Sequence, residues 1–170
     1  MGDPARVADL PESAFPFLHG EKPVILAADE FPRSVRDALV AREDSRFWSH
    51  HGVDFVGVVR AALRNIEEGE LREGAGTITM QLARTAYGFR ARTLRRKLVE
   101  AAVAYRIERN FTKEEILAAY MNWVFLGMDN HGFERASQEY FGRGVRELHL
   151  GECATLVGML RAPNRFHPAR

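Results

Sequence analysis

The stretch REDSRFWSHHGVD, residues 42–54, combines acids, histidines and aromatic residues beside a glycine. Apolar spacing after Pro32 predicts a helix that carries the chain to Glu43, which then lies at the helix end. Acids and bulky aromatics are unusual at such a position unless a site needs a base whose surroundings are controlled. The stretch alone leaves two interpretations of Glu43 open, a catalytic base and a solvated helix end.

The chain is long and apolar enough for one domain with its own core. It has 170 residues, of which 46% are hydrophobic and 28% charged. We expect residues 1–22 to form an irregular lead-in and residues 23–170 to form the domain. The net charge of +1 gives no reason to expect nucleic acid as a partner, so an anionic partner must meet a local cluster of cations.

The single cysteine, Cys153, excludes an internal disulfide. It lies in an apolar run, which favours a buried structural thiol over a nucleophile. No run approaches the roughly eighteen apolar residues that would span a bilayer. The first residues have neither the basic nor the apolar region of a signal peptide, and whether an anchor precedes them stays open.

Periodicity and capping residues predict helices over most of the chain. Residues 24–26 form the only strand-like run, and the Gly-rich, charged composition from residue 70 to residue 76 predicts a mobile loop. The predicted fold class is therefore all-α, with about seven or more helices. The predicted helices start near Pro32, Asp54, Gly76, Arg90, Thr112, Gly132 and Glu147. The helix near Thr112 begins with a capping box of Thr112 and Glu115, and we expect its Ile116, Leu117, Tyr120 and Met121 to lie in the core.

The longest helical pattern runs from Arg90 to Arg109 and has an apolar side and a basic side. Glu100 interrupts the basic stripe, with Arg96 one turn before it and Lys97 on the neighbouring ridge, so both cations can reach its carboxylate. Spacing alone favours a surface ion pair of small energetic value. The apolar side, which we expect to face the core, consists of Leu94, Leu98, Ala101, Ala102 and Tyr105.

Five segments together resemble the peptidoglycan glycosyltransferase domain, family 51 of the glycosyltransferases, of bifunctional penicillin-binding proteins and monofunctional transglycosylases. The first motif, Glu-Asp-x-x-Phe-x-x-His-x-Gly-x-Asp, is matched at all six fixed positions. The pair Met80-Gln81 is similar to the subgroup called penicillin-binding protein 1C. The segments occur in the family's order over residues 24–168. They are residues 43–54, 74–84, 96–100, 113–127 and 140–152.

The resemblance implies a mainly α-helical, lysozyme-like single domain on the extracytoplasmic, periplasmic face of the bacterial cytoplasmic membrane. It implies polymerisation of lipid II, with transfer of the growing glycan from undecaprenyl diphosphate to the 4-hydroxyl of the incoming N-acetylglucosamine. Inversion gives the β-1,4 linkage. The implied partners are lipid II, the growing glycan strand and the membrane surface, with a transpeptidase domain or other cell-wall synthesis proteins beside them.

The residue types agree with this chemistry. An alcohol needs a carboxylate to take its proton, and a diphosphate leaving group needs cations where its charge grows. By resemblance, Glu43 is the base, and Glu100 is a second acid across the cleft that organises cations or a divalent metal, Mg or Mn. No organic cofactor is implied. The predicted substrate-binding residues are Asp44, Phe47, Thr77, Gln81, Arg84, Arg92, Arg96 and Lys97.

Four of these substrate-binding residues have more specific expected roles. Arg84 and Arg92 resemble the diphosphate clamps of the family, and Asp44 is expected to support the site through hydrogen bonds. For Arg96, packing or ion pairing is as good an interpretation as substrate binding. His50 has no partner at ligand spacing, which favours a hydrogen-bonded scaffold over metal binding.

Three departures from the family pattern fall within motifs. Gly76 replaces a serine, Thr85 an asparagine and Ala118 a glutamate. They bear on substrate affinity more than on reaction type. Two alternatives stay open: a muramidase with paired carboxylates, which has no use for a cluster of cations, and a non-catalytic module that binds lipid-linked precursor or glycan.

Overall fold

α-Helices carry nearly all of the regular structure. The computed structural model describes residues 24–68, 76–87 and 93–164. Over these residues there are seven α-helices and no strand, only an isolated bridge between Phe125 and His131. The prediction of a mainly α fold is confirmed. The helices are α1 Arg33–Glu43, α2 Phe55–Glu68, α3 Ile78–Tyr87, α4 Leu94–Asn110, α5 Lys113–Trp123, α6 Phe133–Phe141 and α7 Leu150–Met159. The lead-in, the loop predicted before residue 76 and Arg92 lie outside the described residues.

Helix α5 runs through the core and packs against most of its neighbouring helices. Every residue from Glu115 to Trp123 is buried, and the helix packs against α3, α4 and α6. It begins with the predicted capping box: the Thr112 hydroxyl accepts the Glu115 N–H at 3.2 Å, and the Glu115 carboxylate accepts the Thr112 N–H at 2.7 Å. The prediction that its apolar residues form the core is confirmed.

The prediction of a strand over residues 24–26 is wrong. Leu26 pairs with the side chain of Asn122 on α5 instead of with another strand. Its N–H donates to Asn122 Oδ1 at 3.0 Å, and its carbonyl accepts from Asn122 Nδ2 at 2.8 Å. A side-chain amide offers one acceptor and one donor side by side, so it satisfies the Leu26 backbone as a neighbouring strand would.

Replacing Asn122 by alanine should therefore leave two backbone groups of Leu26 without partners. We expect the free energy of unfolding to fall by about 2–6 kcal/mol, because each buried unsatisfied group costs about 1–3 kcal/mol. Urea denaturation measures the change. Asn110→Ala is the matched control, since Asn110 is exposed and bonds only the Arg106 carbonyl. Equal stability of the two variants would contradict the role of Asn122.

Helix α4 is turned the other way from the predicted one. Leu98 and Tyr105 are 73% and 53% exposed, whereas Glu100 and Ala104 are buried. The helix also begins later than Arg90, at Leu94 after the Thr93 N-cap. This orientation places the carboxylate of Glu100 against α3, where Arg84 pairs with it.

Two other predictions concern the C-terminal part of the chain. The last helix begins at Leu150 rather than near Glu147, because Val145–Glu147 form a separate 3-10 turn. The prediction of a buried Cys153 is confirmed: the thiol is fully buried and accepts a hydrogen bond from the Ser34 hydroxyl at 3.4 Å. This contact joins α7 to α1.

Candidate active site

Glu43 is the last residue of α1, and each of its two carboxylate oxygens has a described neighbour. Gln81 Nε2 donates to Glu43 Oε2 at 3.1 Å, and Arg42 Nε lies 3.5 Å from Glu43 Oε1. The side chain is 18% exposed, so it is oriented by protein groups while still reaching solvent. These are the properties that a general base requires.

Asp44 joins the turn after α1 to the start of α3. It is buried, and its two oxygens lie 3.0 and 2.9 Å from His50 Nε2. The Ile78 backbone N–H also donates to Asp44 Oδ2, at 3.0 Å. These hydrogen bonds tie the end of α1 to His50 and to the start of α3, and substrate binding by Asp44 stays a prediction.

Thr77 fixes the same junction at a second point. Its hydroxyl accepts the Met80 N–H at 3.1 Å, which caps α3, and donates to the Gly52 carbonyl at 2.6 Å. Gly52 has φ of +92°, and a Cβ there would lie 2.9 Å from the Ala104 carbonyl carbon, so the position requires glycine. The Thr77 hydroxyl is thus used within the fold; its contact with substrate stays a prediction.

Phe47 begins the 3-10 turn after Asp44, and its backbone N–H donates to the Asp44 carbonyl at 2.9 Å. Its ring is fully buried and stands edge-on to Trp48 and His50, with centroids 5.0 and 6.2 Å away. Lys113 Nζ lies 4.3 Å from the ring centroid, a cation–π contact. The same ammonium pairs with Glu108 at 2.8 Å. The ring is thus part of the core, and contact of Phe47 with a substrate stays a prediction.

Glu100 forms a buried cluster with two arginines. Arg84 binds it with two hydrogen bonds, Nε to Oε1 at 2.9 Å and Nη2 to Oε2 at 3.0 Å. Arg96 Nε lies 3.0 Å from Oε1, although its N–H is not aligned for a hydrogen bond. Glu100 has no exposed surface, so the interpretation as a surface ion pair is wrong. Of the other predicted cations, Lys97 is exposed and Arg92 lies outside the described residues.

The cluster combines two cations with one anion and is net positive. Hydrogen bonding and charge attraction between Arg84 and Glu100 raise the pKa of Arg84, although burial opposes the rise. The Arg84 side chain is 39% exposed, so part of the guanidinium faces solvent. An anion arriving from solvent would therefore meet positive charge here.

Helix α3 contacts both candidate acids from one side. Gln81 and Arg84 are three residues apart and so lie on the same side of the helix. Their side chains contact Glu43 and Glu100, respectively. Helix α3 thus brings together a carboxylate from the end of α1 and a carboxylate from α4.

Tyr120 belongs to the candidate site, whereas the sequence predicts it only as a core residue. Its hydroxyl donates to Gln81 Oε1 at 3.0 Å. Burial raises the pKa of Tyr120, the Glu43 carboxylate raises it further, and Arg84 lowers it. The one available signal was a tyrosine at a core position of α5, because a buried phenol needs a hydrogen-bond partner.

The residues around Glu100 do not fit a bound divalent metal. Both carboxylate oxygens already accept hydrogen bonds from Arg84, and Arg96 lies against one of them. In the described part of the chain, no three His, Cys, Asp or Glu side chains are grouped to hold a metal.

The departures from the family pattern are compatible with the site. A Cβ at Gly76 would meet no atom of the described residues within 4 Å, so packing against them does not require the glycine. The Thr85 hydroxyl donates to the Gln81 carbonyl at 3.1 Å, within α3. Ala118 is buried, and its carbonyl accepts from Asn122 at 2.9 Å.

Comparison with known proteins gives the family. The family model described as Transglycosylase matches residues 13–170. The chain belongs to the transglycosylase family. This confirms the resemblance to peptidoglycan glycosyltransferases and the prediction of a glycosyltransferase domain.

Individual members of the transglycosylase family are also similar to the chain. It is 48% identical over 139 residues to a protein of Cupriavidus necator named as a transglycosylase, covering 82% of this chain and 60% of that protein. It is 43% identical over 148 residues to penicillin-binding protein 1A of Aquifex aeolicus, covering 87% of this chain and 20% of that protein. For penicillin-binding protein 1A of Neisseria cinerea the identity is 45% over 139 residues, with coverages of 82% and 17%. The similarity to the 1C subgroup stays a prediction.

Proposed function

We propose that the chain polymerises lipid II into β-1,4-linked glycan by inverting transfer, with release of undecaprenyl diphosphate. One observation carries the proposal: a single face of α3 holds the Glu43 carboxylate through Gln81 and the net-positive cluster of Glu100 through Arg84. A base and a cationic group side by side suit the transfer of a glycan from a diphosphate to a hydroxyl. Membership of the transglycosylase family supports it.

The reaction then divides between the two halves of the site. Glu43 takes the proton of the acceptor 4-hydroxyl as that oxygen forms a bond to the anomeric carbon of the donor glycan. The bond from this carbon to the diphosphate oxygen breaks, and the electron pair leaves with the diphosphate. The net-positive cluster, with Arg84 partly exposed, stabilises the charge that grows on the leaving group more than it stabilises the bound substrate.

We also propose that α2 contacts the membrane on its extracytoplasmic face, where the lipid-linked substrate would lie. Within α2, Ala61 is buried, whereas Phe55 and Ile66 are 75% and 77% exposed. Arg60 is exposed among these apolar residues. A helix with an exposed apolar surface and a basic residue suits a lipid interface. No helix in residues 24–68, 76–87 or 93–164 is long and apolar enough to cross a bilayer.

The double variant Val59→Ser/Ile66→Ser should bind vesicles of anionic phospholipid at least about tenfold more weakly than the parent chain. Burying each apolar side chain in lipid contributes about 1.5–3 kcal/mol, and serine loses this contribution. Co-sedimentation measures the binding. Leu98→Ser/Leu150→Ser is the control. Both leucines are 73% exposed, as against 59% for Val59 and 77% for Ile66, but they lie on α4 and α7. If both double variants lost binding equally, α2 would not be the contact.

A lipid II polymerisation assay tests the function itself. The chain is incubated with lipid II, with and without Mg²⁺ or Mn²⁺, and the glycan chains are separated by length. Release of fragments from finished peptidoglycan without consumption of lipid II would identify a muramidase. Tight binding of lipid II without turnover at any metal concentration would identify a binding module. The chain spans about a fifth of the penicillin-binding protein 1A relatives, so a transpeptidase domain and other cell-wall synthesis proteins stay proposed partners.

A further inference from the structure

A chain of two hydrogen bonds links the core to Glu43. The Tyr120 hydroxyl donates to Gln81 Oε1 at 3.0 Å, and Gln81 Nε2 donates to Glu43 Oε2 at 3.1 Å. Tyr120 is 2% exposed, so water does not compete for its hydroxyl. Hydrogen bonds in such surroundings are stronger than at the surface, and a polar atom that loses its partner there is costly.

The orientation of the Gln81 amide decides whether it can hold Glu43. A carboxylate accepts hydrogen bonds and cannot donate one, so it pairs only with the NH₂ end of the amide. If the amide rotated by half a turn, Oε1 would face the Glu43 carboxylate and two acceptors would repel each other. The Tyr120 hydroxyl opposes this rotation because it donates to Oε1. Burial raises the pKa of Tyr120, and the hydroxyl therefore keeps the proton that it donates.

We infer that Tyr120 is a positioning residue for glycosyl transfer, acting through the Gln81 amide on the Glu43 carboxylate. This inference rests on the proposed function and adds to it the group that orients the base. Gln81 bonds Oε2, so Oε1 is the oxygen without a hydrogen bond from the described residues and is available for the proton of the acceptor hydroxyl. Its described neighbour is Arg42 Nε at 3.5 Å, beyond hydrogen-bond distance.

The variant Tyr120→Phe tests the inference because it keeps the ring and removes one hydroxyl. We expect kcat for lipid II polymerisation to fall about tenfold and KM to stay within about twofold, since the lost hydrogen bond orients the base and does not bind substrate. In a Gln81→Met background, adding Tyr120→Phe should lower kcat no further, because the group through which Tyr120 acts is already gone.

Tyr140→Phe is the matched control. Its hydroxyl donates to the Leu126 carbonyl at 2.8 Å, so the variant also loses a tyrosine hydrogen bond, one that involves neither Gln81 nor Glu43. Its kcat should equal that of the parent. If the parent polymerises lipid II and Tyr120→Phe keeps its kcat, or if its effect adds fully to that of Gln81→Met, the positioning role is overturned and the proposed function stands. If the parent consumes no lipid II, the proposed function itself is overturned.

Discussion

Replacement of Glu43 by glutamine is expected to reduce lipid II polymerisation by about 10²- to 10⁴-fold, the usual contribution of a general base. Glutamine has nearly the same shape, and its Oε1 can still accept the hydrogen bond from Gln81 Nε2. It cannot take a proton from the acceptor hydroxyl. The loss should therefore appear in kcat, while the affinity for lipid II changes little.

The control for this variant lies on the same helix. Asp37→Asn removes a carboxylate of α1 that is 70% exposed and pairs with Arg33 one turn away. It should retain full activity. Both variants should unfold at the temperature of the parent, because neither removes packing from the core. Full activity of Glu43→Gln would remove Glu43 from the role of base.

Local signals in the sequence were sufficient for most helices. The capping box at Thr112 and Glu115 needs only residues within one turn, and the apolar residues of α5 are continuous enough to indicate burial on every side. Asp54 likewise precedes the observed start of α2. Such features depend on neighbours in the chain, so the sequence contains all the information that they require.

Features that depend on distant residues were not predictable in this way. Counting apolar residues placed Leu98 and Tyr105 inside, but α4 is oriented so that Glu100 pairs with Arg84, which belongs to a different helix. Asn122 replaces a strand partner for Leu26 across 96 positions of sequence. Nothing local distinguishes such an asparagine from one that is solvated.

The candidate site likewise combines features that the sequence predicts with features that depend on distant residues. The acids and cations could be named from their motifs, since their chemistry is a property of residue type. That Gln81 bridges Glu43 and Tyr120 could not be derived, because the three residues come from three helices. Their arrangement follows from how α3 packs on α5, and only the structure gives that.

The second large effect is expected for Glu100→Gln. Glu100 is fully buried, and removing its charge leaves Arg84 and Arg96 without an anion in the cluster. Removing one partner of a buried pair costs about 3–5 kcal/mol, so we expect the free energy of unfolding to fall by about this amount. Polymerisation should fall as well, because the cations lose the group that orients them. Glu114→Gln, an exposed acid in the first turn of α5, should change stability by less than about 0.5 kcal/mol.

A second substitution separates stability from catalysis. In the Glu100→Gln background, Arg96→Met removes the more buried of the two unpaired cations, since the Arg96 side chain is only 18% exposed. Stability measured by urea denaturation should partly recover, because an apolar side chain replaces an uncompensated charge. Polymerisation should not recover, because the leaving diphosphate would meet one cation fewer. If activity returned together with stability, the cluster would serve the fold alone, and the charge on the diphosphate would have to be stabilised elsewhere.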